Sequence, residues 1–310
     1  MMKDRDRIYQ FLFFSLILLY CAHKAPPLSI DRLNPKLDRL QVLNEHQIIL
    51  HFSEEIDTTK VFSENFSIVG DSGILKIIVV YPGNFPQELF FTTEKMGELN
   101  YEITGKVLDK SGREGFFKKR FNGSTKPDTI TPWIKEYKSG NKNNFFLLTF
   151  SEAMDTNSLK FFIVPKKDFI AGWERTRTLS LIPRTEFDSL HFDTTYYLYI
   201  TEIKDLSGNR FGPFVTAVTP DTVYQPLYLK GKVFLRDTSV QQGVAILRRG
   251  IPSGVSLIKD GEFTFEVRDS LNFLVQVITD GYYGEDSVRA GKENIVHIRP
   301  GEVTVDSILN

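Results

Sequence analysis

At 310 residues the chain exceeds one small sandwich, and at ~100–150 residues per domain it divides most simply into three. Its 38 Lys and Arg balance 39 Asp and Glu, so no net field draws in nucleic acid, and that class is set aside. A single cysteine excludes an intrachain disulfide and any Cys-based zinc site. The 26 Phe and 12 Tyr, beside many Val, Ile and Thr, suit pleated, half-buried surfaces and point to an all-β chain.

The amino end, "MMKDRDR", carries Lys3, Arg5 and Arg7, and residues 8–20, "IYQFLFFSLILLY", are free of charge. A helix over those residues spans about 20 Å against the ~30 Å of a bilayer core, so residues 1–20 are expected to be a signal peptide. "LLYC" at 18–21 resembles a bacterial lipobox, with Leu18 and Leu19 at its aliphatic positions and Tyr20 departing from its small residue before the cut. The resemblance implies cleavage before Cys21, lipidation at Cys21 and a membrane partner reached through that lipid anchor. Ala22, rather than Asp, would fit outer-membrane sorting in a diderm cell. Residues 21–35, Pro-containing and without periodicity, read as a flexible tether.

From about Leu40 short apolar strands alternate with Gly, Pro, Asn and Asp at roughly ten-residue intervals, a sandwich pattern. "QIILHF" (47–52) sets Ile48, Leu50 and Phe52 on one face. The chain then repeats itself. "IILHFSEEIDTTKVFSENFSIV" (48–69) aligns with "FLLTFSEAMDTNSLKFFIVPKK" (146–167), Phe52 over Phe150 and Asp57 over Asp155. "NYEITGKVLDKSG" (100–112) aligns with "YYLYITEIKDLSG" (196–208), Tyr101 over Tyr197, Asp109 over Asp205 and Gly112 over Gly208. The polar strip "STKPDTITPW" (124–133) divides the two copies, which are expected at 36–125 and 126–222.

The succession of "FSExMD", a Trp followed by "TLSLIP", "TTYYLYI" and "DLSGN" resembles the bacterial Ig-like domain first known from surface-layer proteins (SbsA-type). The resemblance runs through the second copy and holds at both ends of the first, where "DKSGR" replaces "DLSGN". It implies seven-stranded antiparallel sandwiches used as spacer or display modules, without enzymatic activity. Residues 223–310 have a first strand opening "GKV", a "DGEF" hairpin in which Asp-Gly precedes Phe263 and Phe265, and a late "GY" at Gly281-Tyr282. This third unit resembles the carboxypeptidase regulatory-like, transthyretin-like sandwich. The expected fold is therefore all-β, tandem antiparallel β-sandwiches after an N-terminal signal helix.

The acids of "HFSEEID" and "TFSEAMD" have two readings. As turn residues, Asp57 and Asp155 cap the backbone beyond a strand, and Gly112 and Gly208 supply positive φ in the later turns. As calcium ligands, Asp57 and Asp109 with Glu54, and Asp155 and Asp205 with Glu152, would meet near interdomain joints. Trp173, Tyr282 and Tyr283 likewise read as core and turn aromatics or as a stacking platform for a glycan. The five histidines lack zinc-site spacing, "GIPSGV" lacks the nucleophile elbow, and no glycine-rich phosphate loop occurs. The expectation is a non-enzymatic, lipid-anchored envelope protein with no cofactor. Its second reading is a calcium- or carbohydrate-dependent surface binder with an envelope protein or glycan as partner.

Overall fold

The computed structural model describes residues 33–139, 145–192, 194–220 and 227–309. The expected signal peptide, Cys21 and most of the expected tether lie outside the described residues. The regular secondary structure described is β-strand, apart from 3-10 turns and one short helix, α1 (Val305–Leu309). Among the described residues no helix is long and apolar enough to cross a membrane.

The first unit comprises β1 (Leu37–Val42), β2 (Gln47–Phe52), β3 (Phe66–Gly70), β4 (Gly73–Leu75), β5 (Ile77–Pro82), β6 (Glu88–Thr93), β7 (Asn100–Leu108) and β8 (Glu114–Asn122). They form two four-stranded sheets, ordered β1-β2-β6-β5 and β4-β3-β7-β8. Alternation along β2 buries Ile48, Leu50 and Phe52, and leaves His51 half-buried beside the Glu88 carboxylate, 3.1 Å from Nδ1. β7 alternates likewise: Tyr101 and Ile103 face the core, while Glu102 turns outward to Lys118 and Arg120.

The second unit comprises β9 (Ile134–Ser139), β10 (Phe146–Phe150), β11 (Lys160–Val164), β12 (Phe169–Glu174), β13 (Thr178–Pro183), β14 (Tyr196–Lys204), β15 (Arg210–Phe211) and β16 (Phe214–Val218). One sheet runs β12-β13-β10-β9; in the other, β14 pairs with β11, β15 and β16. The first sheet has the same order as its counterpart in the first unit. The short strands β4 and β15 bring each unit to two four-stranded sheets, one strand beyond the seven that the resemblance implies.

The two units coincide down to single hydrogen bonds. Isolated bridges pair Ile56 with Asp109 and Met154 with Asp205, and the N–H groups of Asp57 and Asp155 donate to the carbonyls of Leu108 and Lys204, both at 2.8 Å. One part of the sequence alignment is corrected. The counterpart of Tyr101 is Tyr196, not Tyr197: Tyr101 and Tyr196 both face their own core, and their hydroxyls accept the N–H of Gly97 and His191 respectively. The physical reason is a bulge. Between Lys160↔Glu202 and Phe161↔Ile200 the register of β14 slips, so Thr201 is an extra residue and the offset grows from 95 to 96 before Asp205.

The third unit is one continuous sheet of β17 (Leu227–Leu235), β18 (Thr238–Ser239), β19 (Gln242–Arg249), β20 (Ile251–Lys259), β21 (Glu262–Val267), β22 (Asn272–Thr279), β23 (Tyr282–Arg289), β24 (Ile295–His297) and β25 (Arg299–Pro300). β24 pairs in parallel with β17 while β25, just after it, pairs with β23, so one segment ties both ends of the path together around the core. The "DGEF" hairpin forms as expected: Lys259 pairs with Glu262 across Asp260 and Gly261, both at positive φ, and Phe263 and Phe265 are buried. Gly231 is required on β17 because the Phe263 ring lies across it; a Cβ there would stand 2.3 Å from the ring.

Candidate functional site

The most concentrated chemistry among the described residues lies between the first and second units. Asp128, Glu152 and Asp205, all buried, each offer a carboxylate oxygen within 4.8 Å of the others. Three different segments deliver them. Asp128 belongs to the connection from β8 to β9, Glu152 to the turn after β10, and Asp205 follows directly on β14, where its backbone bridges Met154.

Each carboxylate is held in place by local turn chemistry. Asp205 Oδ1 accepts the N–H groups of Ser207 and Asn209, both at 2.8 Å, and its Oδ2 accepts Asn209 Nδ2 at 2.8 Å. Asn209 Nδ2 also donates to the Asp128 carbonyl at 3.3 Å, which links the "DLSGN" turn to the connection between the units. Asp128 Oδ1 accepts the Ile130 N–H at 3.0 Å, whereas Oδ2 is buried without a hydrogen-bond partner. Glu152 Oε2 accepts from Gln47 Nε2 of the first unit at 2.8 Å.

Surroundings of low polarity intensify the mutual repulsion. Val79 and Tyr81 of β5 pack on Ala153, with Phe90 and Leu206 beside them, so the residues next to Glu152 and Asp205 in sequence close an apolar patch across the joint. Burial, then the charges of Asp128 and Asp205, push the Glu152 carboxyl up to about 8, against lowering by Gln47 and Arg177. Burial likewise pushes the Tyr81 hydroxyl up to about 12, with the Glu152 charge adding to it. Arg177 does not pair directly with the acids. Its Nε donates to the Phe150 carbonyl at 2.7 Å, its Nη1 to the Pro82 carbonyl at 3.2 Å, and its guanidinium lies 4.8 Å from the Tyr81 ring centre. Among the described residues no Lys, Arg or His forms an ion pair with the three carboxylates.

Of the acids expected from the sequence, Asp205 and Glu152 enter this cluster. Asp57 Oδ1 accepts the N–H and hydroxyl of Thr59 at 3.1 and 2.6 Å, capping the 3-10 turn Thr58–Lys60, and the Thr59 hydrogen bonds hold its carboxyl below the ordinary range. Asp155 caps Thr156–Ser158 in the same way through the Asn157 N–H. Asp109 Oδ1 accepts the Arg113 N–H at 2.8 Å, and its Oδ2 is buried without a partner. Gly112 and Gly208 have φ of 81° and 94°. Asp128 was not among the expected ligands: it lies in the polar strip taken as a boundary, and what marks it is its Asp-Thr-Ile-Thr-Pro context beside the repeat.

The candidate glycan aromatics fall in two different cores. Trp173 on β12 is half-buried, 6.1 Å from Phe150, within the second unit. Tyr282 and Tyr283 pack on the third unit's core, and the Tyr283 hydroxyl donates to Glu285 at 2.6 Å and accepts from Gln276 at 2.8 Å.

Several solved structures are similar to this chain. The N-terminal part of the bacterial S-layer protein SbsC has 14% identity over 60% of this chain and 44% of that one, with a TM-score of 0.28. Native alpha-2-macroglobulin from Escherichia coli, domains MG0-NIE-MG1, has 14% identity over 84% and 97%, at 0.27. Dimeric latent PorU from Porphyromonas gingivalis has 12% identity over 85% and 34%, at 0.30. This chain spans about half the length of the S-layer structures it matches, 44% and 55%. No curated protein matches it. Residues 129–221 match the family model of the bacterial Ig-like domain.

Proposed function

We propose that the protein is an exported, non-enzymatic lipoprotein of the bacterial envelope whose sandwiches form a stiff spacer carrying the C-terminal unit away from the membrane. In this reading residues 36–125 are a second, diverged copy of the bacterial Ig-like domain matched at 129–221, and both copies are of the SbsA type. Residues 223–310 are a regulatory-like sandwich, and Cys21 carries the lipid. An envelope protein or glycan at the distal end would be its partner.

The observation that carries the spacer reading is that both joints are made of side chains locked onto the neighbouring unit's backbone. At the first joint Arg175 Nη2 donates to the Thr58 carbonyl at 2.8 Å and Arg177 to that of Pro82. At the second, Tyr197 and Tyr199 of β14 join the hydrophobic core of the third unit. A hinge would leave such groups to solvent, whereas a strut needs them buried and paired. The test is metabolic labelling with a fatty-acid analogue, comparing wild type with Cys21→Ser. Labelling that disappears in the variant, together with its release from the membrane fraction, is the expected result; equal labelling of the two ends the lipoprotein reading.

A further inference from the structure

We propose that Asp128, Glu152 and Asp205 form a calcium-type divalent-cation site that clamps the connection between the first two units onto two turns of the second. The inference does not depend on the lipid anchor or the spacer reading; it concerns the chemistry of the joint itself.

Size is the first argument. Calcium–oxygen distances near 2.4 Å put two ligands on opposite sides of one ion about 4.8 Å apart. The three carboxylate oxygens lie within 4.8 Å of one another, the span of a single calcium shell.

The second argument is an oxygen without a partner. Asp128 is 8% exposed, its Oδ1 is committed to the Ile130 N–H, and its Oδ2 is buried with no donor. Leaving such a charged oxygen unsatisfied is costly, and a cation is the partner that three converging carboxylates select. A proton on Glu152 removes one of the three charges, but two neighbouring acids still face each other in an apolar surround.

Donor chemistry then narrows the ion. All three ligands are hard oxygens, with no His or Cys in the group, which disfavours zinc and other borderline or soft metals. They come from three separate turns, and the irregular set this produces suits the flexible shell of calcium better than the strict octahedron of magnesium. Asn209 and Ser207 orient Asp205 from behind, as supporting groups do around a ligand. Asp57 and Asp155 serve as internal controls because their carboxylates are engaged in caps.

The experiment uses the purified full chain after chelation. Calcium is titrated by calorimetry, and terbium emission sensitised by nearby aromatics such as Tyr81 is followed and then competed with calcium. Wild type is expected to bind calcium with a Kd of about 0.1–1 mM, the range of extracellular modules, and to show a Tm that rises with calcium. Asp128→Asn, Glu152→Gln and Asp205→Asn, which preserve shape and a hydrogen-bond acceptor, should each weaken binding at least about tenfold, as loss of a charged ligand does. Asp57→Asn and Asp155→Asn should bind as wild type does. The proposal is overturned if wild type gives neither calcium heat nor calcium-competed terbium emission up to about 10 mM, well above that range. It is equally overturned if all three substitutions leave affinity intact. The wild-type measurement decides the matter even if a variant fails to fold.

Discussion

The Tyr197 hydroxyl exchanges two hydrogen bonds with the backbone of Glu266, donating to its carbonyl at 2.8 Å and accepting its N–H at 2.9 Å. One phenol thereby satisfies both polar groups of a residue on β21, while its ring packs edge-on to Phe265 at 6.4 Å. Tyr197→Phe would keep the ring and leave both backbone groups without the hydroxyl, at a cost of about 1–3 kcal/mol. Urea denaturation of the full chain should show the loss. The Tyr196→Phe control, which removes an acceptor for the His191 N–H within the second unit alone, should leave the contacts between the second and third units unchanged, as read by amide exchange at Glu266. Protection at Glu266 undiminished in Tyr197→Phe would show that the hydroxyl does not hold that joint.

Glu152 makes the first joint sensitive to pH. Its folded-state pKa is raised from 4.5 to about 8, so the folded protein holds a proton that the unfolded chain releases. The resulting stabilisation is complete below pH 4.5, declines as pH rises towards 8 and is gone above it. In chelator, Tm should therefore fall across that interval, and Glu152→Gln should flatten this part of the profile. A wild-type Tm that rises through the same window, with Glu152→Gln following it in parallel, would contradict the assignment.

Asp57 and Asp155 perform one task twice. Both accept the N–H of the residue two positions on, opening a 3-10 turn after an early strand. Asp57→Ala and Asp155→Ala should each lower Tm by about 2–4 °C, the scale of a lost cap, and by similar amounts. Asn at either position should restore most of the loss, since its side-chain oxygen also accepts. A much larger loss from Asp57→Ala, unrescued by Asn, would mean that its negative charge serves something other than the turn.

The repeat and the strand periodicity were legible because single residues determine them. Ile48, Leu50 and Phe52 alternate, and their counterparts Phe146, Leu148 and Phe150 do the same. "YYLYI" was legible only as a strand. In β14 Tyr196, Leu198 and Ile200 face the second unit's core while Tyr197 and Tyr199 face the third, and an apolar run on both faces marks a strand buried from both sides. The corresponding β7 places Glu102 outward, so the contrast between copies already held the position of the second joint. The extra residue Thr201 hid it by moving Tyr197 into apparent register with Tyr101. The carboxylate cluster was half legible. Repetition pointed to Glu152 and Asp205, but the third acid reaches them by tertiary folding of a connection that carries no periodic signal.

Arg177 is the residue at the first joint that a conservative change should damage most. Its guanidinium bridges carbonyls of two units, Phe150 and Pro82, and stacks against Tyr81, whose ring is buried. A planar fork can direct two N–H groups to separated carbonyls and present a flat face to a phenol at once; a lysine ammonium has no such plane and cannot satisfy all three contacts. Arg177→Lys should therefore lose about 2–3 kcal/mol, nearly as much as Arg177→Ala, because the carbonyl of Pro82 or of the buried Phe150 goes without its donor in either case. Arg175→Lys should lose less, since Arg175 contributes a single hydrogen bond, to Thr58, across the joint. Urea denaturation of the three variants against wild type measures the order. If Arg177→Lys stays within about 0.5 kcal/mol of wild type, the range of ordinary surface substitutions, the fork geometry is not what joins the two units.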